Sequence, residues 1–251
     1  MRIPSWYFVA FVVFAFMSIA ENIAQVRERI AAAARRARRN PDEITLMAVS
    51  KSFPVRDIRD AHTGGLRVFG ENRVQEFAGK VEALHDMAGV EWHLIGHLQS
   101  NKAVRAVELF DAVDSVDSVK LAEKLNAAAE KTGKTLPVLI EINVGGEEAK
   151  SGIDLGSGEL GRILINAETW KNLAVRGLMT VPPYTEDPEQ ARLYFRQLRE
   201  IRDKVAARQM PGVAMDVLSM GMSHDFEVAI EEGSTCVRVG TAIFGERRTS
   251  Q

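Results

Sequence analysis

The run Ile44-Thr45-Leu46-Met47-Ala48-Val49-Ser50-Lys51 decides how this chain is read. It is apolar, it follows the helix-stopping pair Asn40-Pro41, and it closes on a lysine before an amphipathic segment opens near residue 55. A short buried strand that hands over to a helix is half of a βα unit. The C-terminal end of such a strand is where barrels and open α/β sheets hold their chemistry. An amine placed there is partly desolvated, which disfavours the ammonium and leaves a nucleophile suited to a Schiff base with an aldehyde. A strand-end lysine alone is a weak signal, because most are simply solvated.

Outward from this run the pattern repeats. Ile23, Val26, Ile30 and Ala34 recur at helical spacing and predict an entry helix over 19–38. Strand-like runs follow at 44–50, 66–69, 91–95, 110–114, 136–143, 173–179, 215–219 and 235–239. Between them lie candidate helices near 55–63, 72–87, 101–107, 118–132, 158–168, 187–208 and 224–231. Strict alternation implies a parallel sheet with right-handed crossovers. Eight strands at this spacing predict a single (β/α)8 TIM-type barrel, with an open doubly wound sheet as the alternative. The Gly- and Ser-rich stretch 145–158 reads as a long loop after the fifth strand, on the active face.

Composition narrows the function classes. The chain has 251 residues, 46% apolar and 26% charged, with a net charge of -2, so it is globular and carries no basic surplus for nucleic acid. Arg35, Arg36, Arg38 and Arg39 cluster at the end of the entry helix, where the helix dipole favours them. The one cysteine, Cys236, excludes an intrachain disulfide and cysteine-rich zinc sites. It lies in Thr235-Cys236-Val237-Arg238-Val239 and reads as a buried, inert thiol, in keeping with a cytoplasmic protein. Residues 1–17 form an apolar N-terminal extension without a counterpart in that picture. They read as a misplaced start, with translation from Met17, or as a signal peptide or short anchor that would place the protein in or beyond a membrane. Ser18-Ile19-Ala20-Glu21 has capping-box spacing, so the barrel domain is expected over 18–251.

Barrel sites are assembled from strand ends. Strand one offers Lys51, strand two Gly70-Glu71-Asn72, and strand three His93 and then Gly96-His97. Ser219 and Ser223 flank Gly221 after strand seven, and Gly240-Thr241 follow strand eight. Small hydroxyl residues and backbone N–H groups ahead of a helix suit a phosphate, though they serve equally as turns and caps. Arg238 lies between Val237 and Val239, so alternation turns it into the barrel if the valines face the helices. An inward guanidinium needs an acceptor: Glu71, Glu141 or a pyridine nitrogen. His97 reads as an acid/base or a structural donor, and Asn72 as a cofactor contact or a helix cap. His93 and His97 do not have a persuasive metal spacing.

As a set these residues are familiar. Ala48-Val49-Ser50-Lys51, Phe69-Gly70-Glu71-Asn72, His93 through Lys102, Ser219-Met220-Gly221-Met222-Ser223 and Val237 through Gly245 resemble the pyridoxal phosphate homeostasis protein family, from about Ser18 to Glu246. The resemblance implies a fold-type III barrel, similar to the N-terminal domain of alanine racemase. It implies pyridoxal 5'-phosphate as cofactor, with its aldehyde on Lys51 and its phosphate at Ser219, Ser223, Gly240 and Thr241. Arg238 would face the pyridine nitrogen, and Asn72 and His97 would line the pocket. The implied role is buffering or delivery of the cofactor, to apo-enzymes among others, by a monomer or weak dimer without robust turnover. The alternative is an amino-acid racemase-type enzyme, for which Tyr184 is the remaining candidate acid/base.

Overall fold

The computed structural model describes residues 18–147 and 151–246, so both readings of 1–17 lie outside the described residues. Ser18 opens helix α1 (Ile19–Arg36) with both halves of the capping box. The Glu21 N–H donates to Ser18 Oγ at 3.2 Å, and the Ser18 N–H donates to the Glu21 carboxylate at 2.7 Å. Such a cap is worth about 1 kcal/mol. Ile23, Val26, Ile30, Ala33 and Ala34 are its buried face.

The eight expected strands all form: β1 (Thr45–Val49), β2 (Val68–Glu71), β3 (Glu91–Leu94), β4 (Ala112–Val116), β5 (Leu136–Glu141), β6 (Leu173–Met179), β7 (Val213–Met222) and β8 (Cys236–Val239). They make a closed parallel barrel in sequence order, with β8 paired back to β1. Closure rules out the open sheet. The helices between are α2 (Val55–Thr63), α3 (Val74–Ala78), α4 (Ala103–Leu109), α5 (Val119–Thr132), α6 (Glu159–Asn166), α7 (Arg192–Ala206) and α8 (Phe226–Glu231), and α9 (Thr241–Phe244) follows β8. Among the described residues, no helix is long and apolar enough to cross a membrane.

Two elements depart from the sequence expectation. The single helix expected over 72–87 breaks after α3 at Gly79 and resumes as a short 3-10 turn at Val81–Leu84. Glycine just past a helix end is a stop signal, and Lys80 turns inward there. Strand β7 runs beyond Ser219 to Met222, with a register shift against β8 between those two residues. Gly221 makes this possible at φ +92°: a Cβ there would meet Ala229 Cβ at 2.5 Å and Phe226 Cα at 2.9 Å.

Alternation sorts the strand side chains into two layers. Val237 and Val239, like Leu218, Met220, Ile140 and Leu178, join the buried apolar layer under the helices. The intervening residues Met47, Leu139, Met179 and Cys236 turn to the lumen together with Asp114, Glu141, Ser219 and Arg238. Helix α1 braces the end of the barrel where β7 and β8 finish. Asn22 Nδ2 donates to Ile243 O at 2.9 Å, which ties α9 down. Arg29 pairs with Glu227 at 3.0 Å and covers the Phe226 ring, and Arg36 pairs with Glu231 at 2.8 Å. Arg39 donates to Ile230 O and Ser234 O. The arginine cluster therefore holds α8 in place, beyond its fit to the helix dipole.

Candidate functional site

The site grows from the pairing of β8 with β1. Met47 lies opposite Arg238 and Ala48 opposite Val239. A Cβ on Gly240 would come within 3.4 Å of Val49 O. Lys51, half-buried two residues past Val49, therefore shares the C-terminal rim with Gly240 and Thr241. Ser223 joins them from the end of β7: its Oγ accepts from the Gly240 N–H at 3.2 Å and the Ala242 N–H at 3.4 Å. Asp225 shapes that loop by accepting from the Met222 N–H at 2.6 Å. The result is a small cup beside the end of β1, in which Ser223 Oγ takes up the Gly240 and Ala242 N–H groups.

Ser219, expected with Ser223 at the phosphate, lies deeper in the barrel wall than Ser223. It is fully buried, and its Oγ accepts from Arg238 Nη1 at 2.6 Å, while Nη2 donates to Thr180 O at 2.6 Å. Arg238 thus points into the lumen, as alternation requires, on two neutral acceptors. Neither acid anticipated for it bonds it directly. Glu71 is held by Ser50 Oγ at 2.7 Å and Lys80 Nζ at 3.2 Å. Glu141 acts on Arg238 through space, and burial pushes its carboxyl up to about 7 despite the guanidinium. Burial also raises Glu71, against Lys80 and Ser50. Among the described residues, Glu71 Oε2 and Glu141 Oε2 are the buried side-chain polar atoms without a hydrogen-bond partner.

Asn72 is half-buried directly after β2, and a Cβ on Gly96 would lie 2.4 Å from its carbonyl oxygen. It does not cap the next helix, whose N-cap is Arg73. His97 is exposed, with Nδ1 3.1 Å from Asp117 Oδ2. His93 belongs to the lumen instead, with Nδ1 3.1 Å from both oxygens of Asp114. Burial disfavours its cation, but Asp114 outweighs this and raises its pKa. The two histidines therefore answer to different carboxylates. The Cys236 thiol is buried and pushed up to about 12, which makes it unreactive. Lys80 is the site residue that the sequence pattern hid, within the expected helix that breaks at Gly79.

Comparison with known proteins agrees with this geometry. The family model described as alanine racemase, N-terminal domain, matches residues 20–248. A pyridoxal phosphate homeostasis protein of Aquifex aeolicus is 47% identical over 232 residues, covering 92% of this chain and 100% of the relative. One of Escherichia coli K12 is 43% identical over 236 residues, covering 93% and 98%. The structure of PipY from Synechococcus elongatus PCC7942 with PLP bound superposes with a TM-score of 0.80 at 37% identity, covering 91% of this chain and 100% of PipY. The chain belongs to the alanine racemase N-terminal domain family and, within it, to the pyridoxal phosphate homeostasis proteins.

Proposed function

We propose that this chain binds pyridoxal 5'-phosphate and holds it for buffering or delivery, without robust turnover. The observation that carries the reading is the adjacency of β1 and β8: one ends in Lys51, the other in the Ser223-anchored cup. The residues present fit the group. Lys51 would hold the aldehyde. Ser219, Ser223, Gly240 and Thr241 would hold the phosphate, using hydroxyls and backbone N–H groups. Arg238 would face the pyridine nitrogen, and Ser219 would also orient its fork. Asn72 and His97 would line the pocket. When bound, the cofactor would supply an electrophilic aldehyde carbon open to attack by an amine.

The chain's own residues favour holding over chemistry. A guanidinium keeps its proton, so Arg238 would leave a facing ring nitrogen unprotonated and a weak electron sink. Proton exchange at a substrate carbon needs positioned acid and base groups. Tyr184 is 76% exposed and leans on the His224 ring at 5.5 Å, and Tyr194 packs on the helix layer. Thr241 is exposed, and Lys51 and Ser223 are half-buried, which leaves the mouth accessible to recipient apo-enzymes. A cytoplasmic monomer or weak dimer, with the binding domain over 18–251, completes the proposal.

The test is the visible absorption of the purified protein, followed by borohydride reduction and peptide mapping. The expected result is a coloured protein whose reduced adduct maps to Lys51 and is absent from Lys51→Ala. A protein that takes up no pyridoxal phosphate overturns the reading. Lys51-dependent proton exchange at the α-carbon of an amino acid would favour the racemase-type alternative.

A further inference from the structure

The turn that carries Lys51 is held by an ion network that no sequence motif announces. Lys80 Nζ donates to Ser50 O at 3.3 Å, to Glu71 Oε1 at 3.2 Å and to Glu76 Oε1 at 2.8 Å, so three acceptors take its three protons. Glu76 Oε1 in turn accepts from the Ser52 N–H at 2.6 Å. The Ser50 carbonyl belongs to the peptide before Lys51, and the Ser52 N–H to the peptide after it. Both peptide planes flanking the Lys51 Cα are therefore tied to one ion pair, which fixes the direction in which its side chain leaves the backbone.

Two further features show that this turn is held rather than merely folded. Ser52 sits at φ +65°, a left-handed conformation that crowds the Cβ of a non-glycine residue. Its N–H bond to Glu76 holds it there. Ser50 is fully buried, and its Oγ donates to Glu71 Oε1 at 2.7 Å, so the same carboxylate oxygen receives both Ser50 and Lys80. The Lys80 side chain is only 14% exposed. The Glu76 carboxyl is kept below its ordinary range, because Lys80 and the Ser52 N–H outweigh its partial burial.

We infer that Lys80 and Glu76 are positioning residues for Lys51: they set the aim of its amine without touching the cofactor. The inference rests on the proposed attachment of the aldehyde at Lys51. It assigns to the break at Gly79 a purpose, since a continuous helix over 72–87 would have a different path at Lys80.

The experiment compares the rate of pyridoxal phosphate capture and the stoichiometry of borohydride-trapped adduct in wild type, Glu76→Ala, Glu76→Gln and Lys80→Met. Thermal unfolding of each unliganded protein checks the fold. Misaim of a reacting group by about 1 Å costs on the order of 100-fold, so Glu76→Ala and Lys80→Met are expected to capture about 10- to 100-fold more slowly. Glu76→Gln keeps the oxygen that receives the Ser52 N–H and is expected to stay near the wild-type rate, which a merely structural loss of charge would not do. Glu76 is partly exposed, so Glu76→Ala gives the result even if Lys80→Met fails to fold. Capture at the wild-type rate in Glu76→Ala overturns the inference, as does a Glu76→Gln variant as slow as Glu76→Ala. Wild-type protein that traps no adduct on Lys51 overturns the functional reading itself, and this inference with it.

Discussion

The two ends of the barrel offer cavities of similar size and opposite character. At the N-terminal end a cavity of about 580 Å³ is lined by His93, Asp111, Asp114, Lys134, Arg176 and Cys236. At the C-terminal end one of about 640 Å³ lies beside the Lys51 turn, between Ser52, Phe53, Lys80 and Phe244. Volume does not separate them, but polar satisfaction does. At the N-terminal end Lys134 donates to Phe110 O, Arg176 pairs with Asp216, Asp111 accepts from the Trp92 N–H, and His93 pairs with Asp114. At the C-terminal end two buried carboxyl oxygens, on Glu71 and Glu141, lack partners among the described residues. Buried polar groups are almost always satisfied, so these two oxygens set the C-terminal end apart from the other.

That contrast breaks most directly at Lys51. Lys51→Ala is expected to abolish trapped adduct altogether, with the unliganded fold intact, as read by mass after borohydride. Residual stoichiometric labelling elsewhere would move the site away from the C-terminal rim. Next in size is Arg238, whose removal leaves Ser219 Oγ, Thr180 O and nearby lumen carboxylates uncompensated. Arg238→Ala is expected to cost about 3–5 kcal/mol in urea unfolding, because it strands two buried acceptors and opens a cavity in the lumen. A loss under about 1 kcal/mol would mean that the lumen does not depend on its cation.

Why the site was half legible in the chain is a matter of range. The alternation of Val237, Arg238 and Val239 is local, and it placed the guanidinium in the lumen correctly. The end of β1 at Lys51 and the cup at Gly240 and Thr241 were local as well, because strand ends and turn residues announce themselves within a few positions. The acceptors of Arg238 were not, since Ser219 reaches it across two strands whose register shifts at Gly221. For the same reason the bond between Ser219 and Arg238 is not legible in the chain. Lys80 was hidden because the 3.6-residue pattern over 72–87 outweighed Gly79, and Glu71 was offered to Arg238 when its partners are Ser50 and Lys80.

A smaller effect sharpens the comparison through pH. The Glu141 carboxyl titrates near 7 in the folded protein, against an ordinary 4.5. A carboxyl raised on folding contributes stability that is complete below its unfolded pKa and is lost as pH rises through the folded one. The window therefore runs from about 4.5 to 7, and the loss across it is about 3 kcal/mol. Glu141→Gln is expected to flatten that part of the profile in urea midpoints taken across it. An unchanged slope would show that Glu141 is already ionised and that its orphaned oxygen is hydrated. Smaller again, Ser223→Ala removes the acceptor for the Gly240 and Ala242 N–H groups and is expected to weaken cofactor retention by about 5- to 10-fold, near 1 kcal/mol.

The smallest effect is expected at the N-terminal end, and it tests the contrast from its other side. Lys134 is half-buried on the wall of that cavity, and its described bond is to one carbonyl, Phe110 O at 2.9 Å. Partial burial holds its pKa below the ordinary lysine range, with Asp111 opposing. Lysines with lowered pKa values are good nucleophiles, so chemistry alone would make Lys134 a rival to Lys51. Geometry separates them: Lys134 precedes β5, on the face that serves stability in this fold and at the opposite end of the barrel from Gly240 and Thr241. Lys134→Met is therefore expected to change stability by less than about 1 kcal/mol and to leave capture rate, adduct stoichiometry and adduct position as in wild type. A fall in trapped adduct in that variant would show that a lowered amine pKa decides where the aldehyde goes, and that the cup and Arg238 do not.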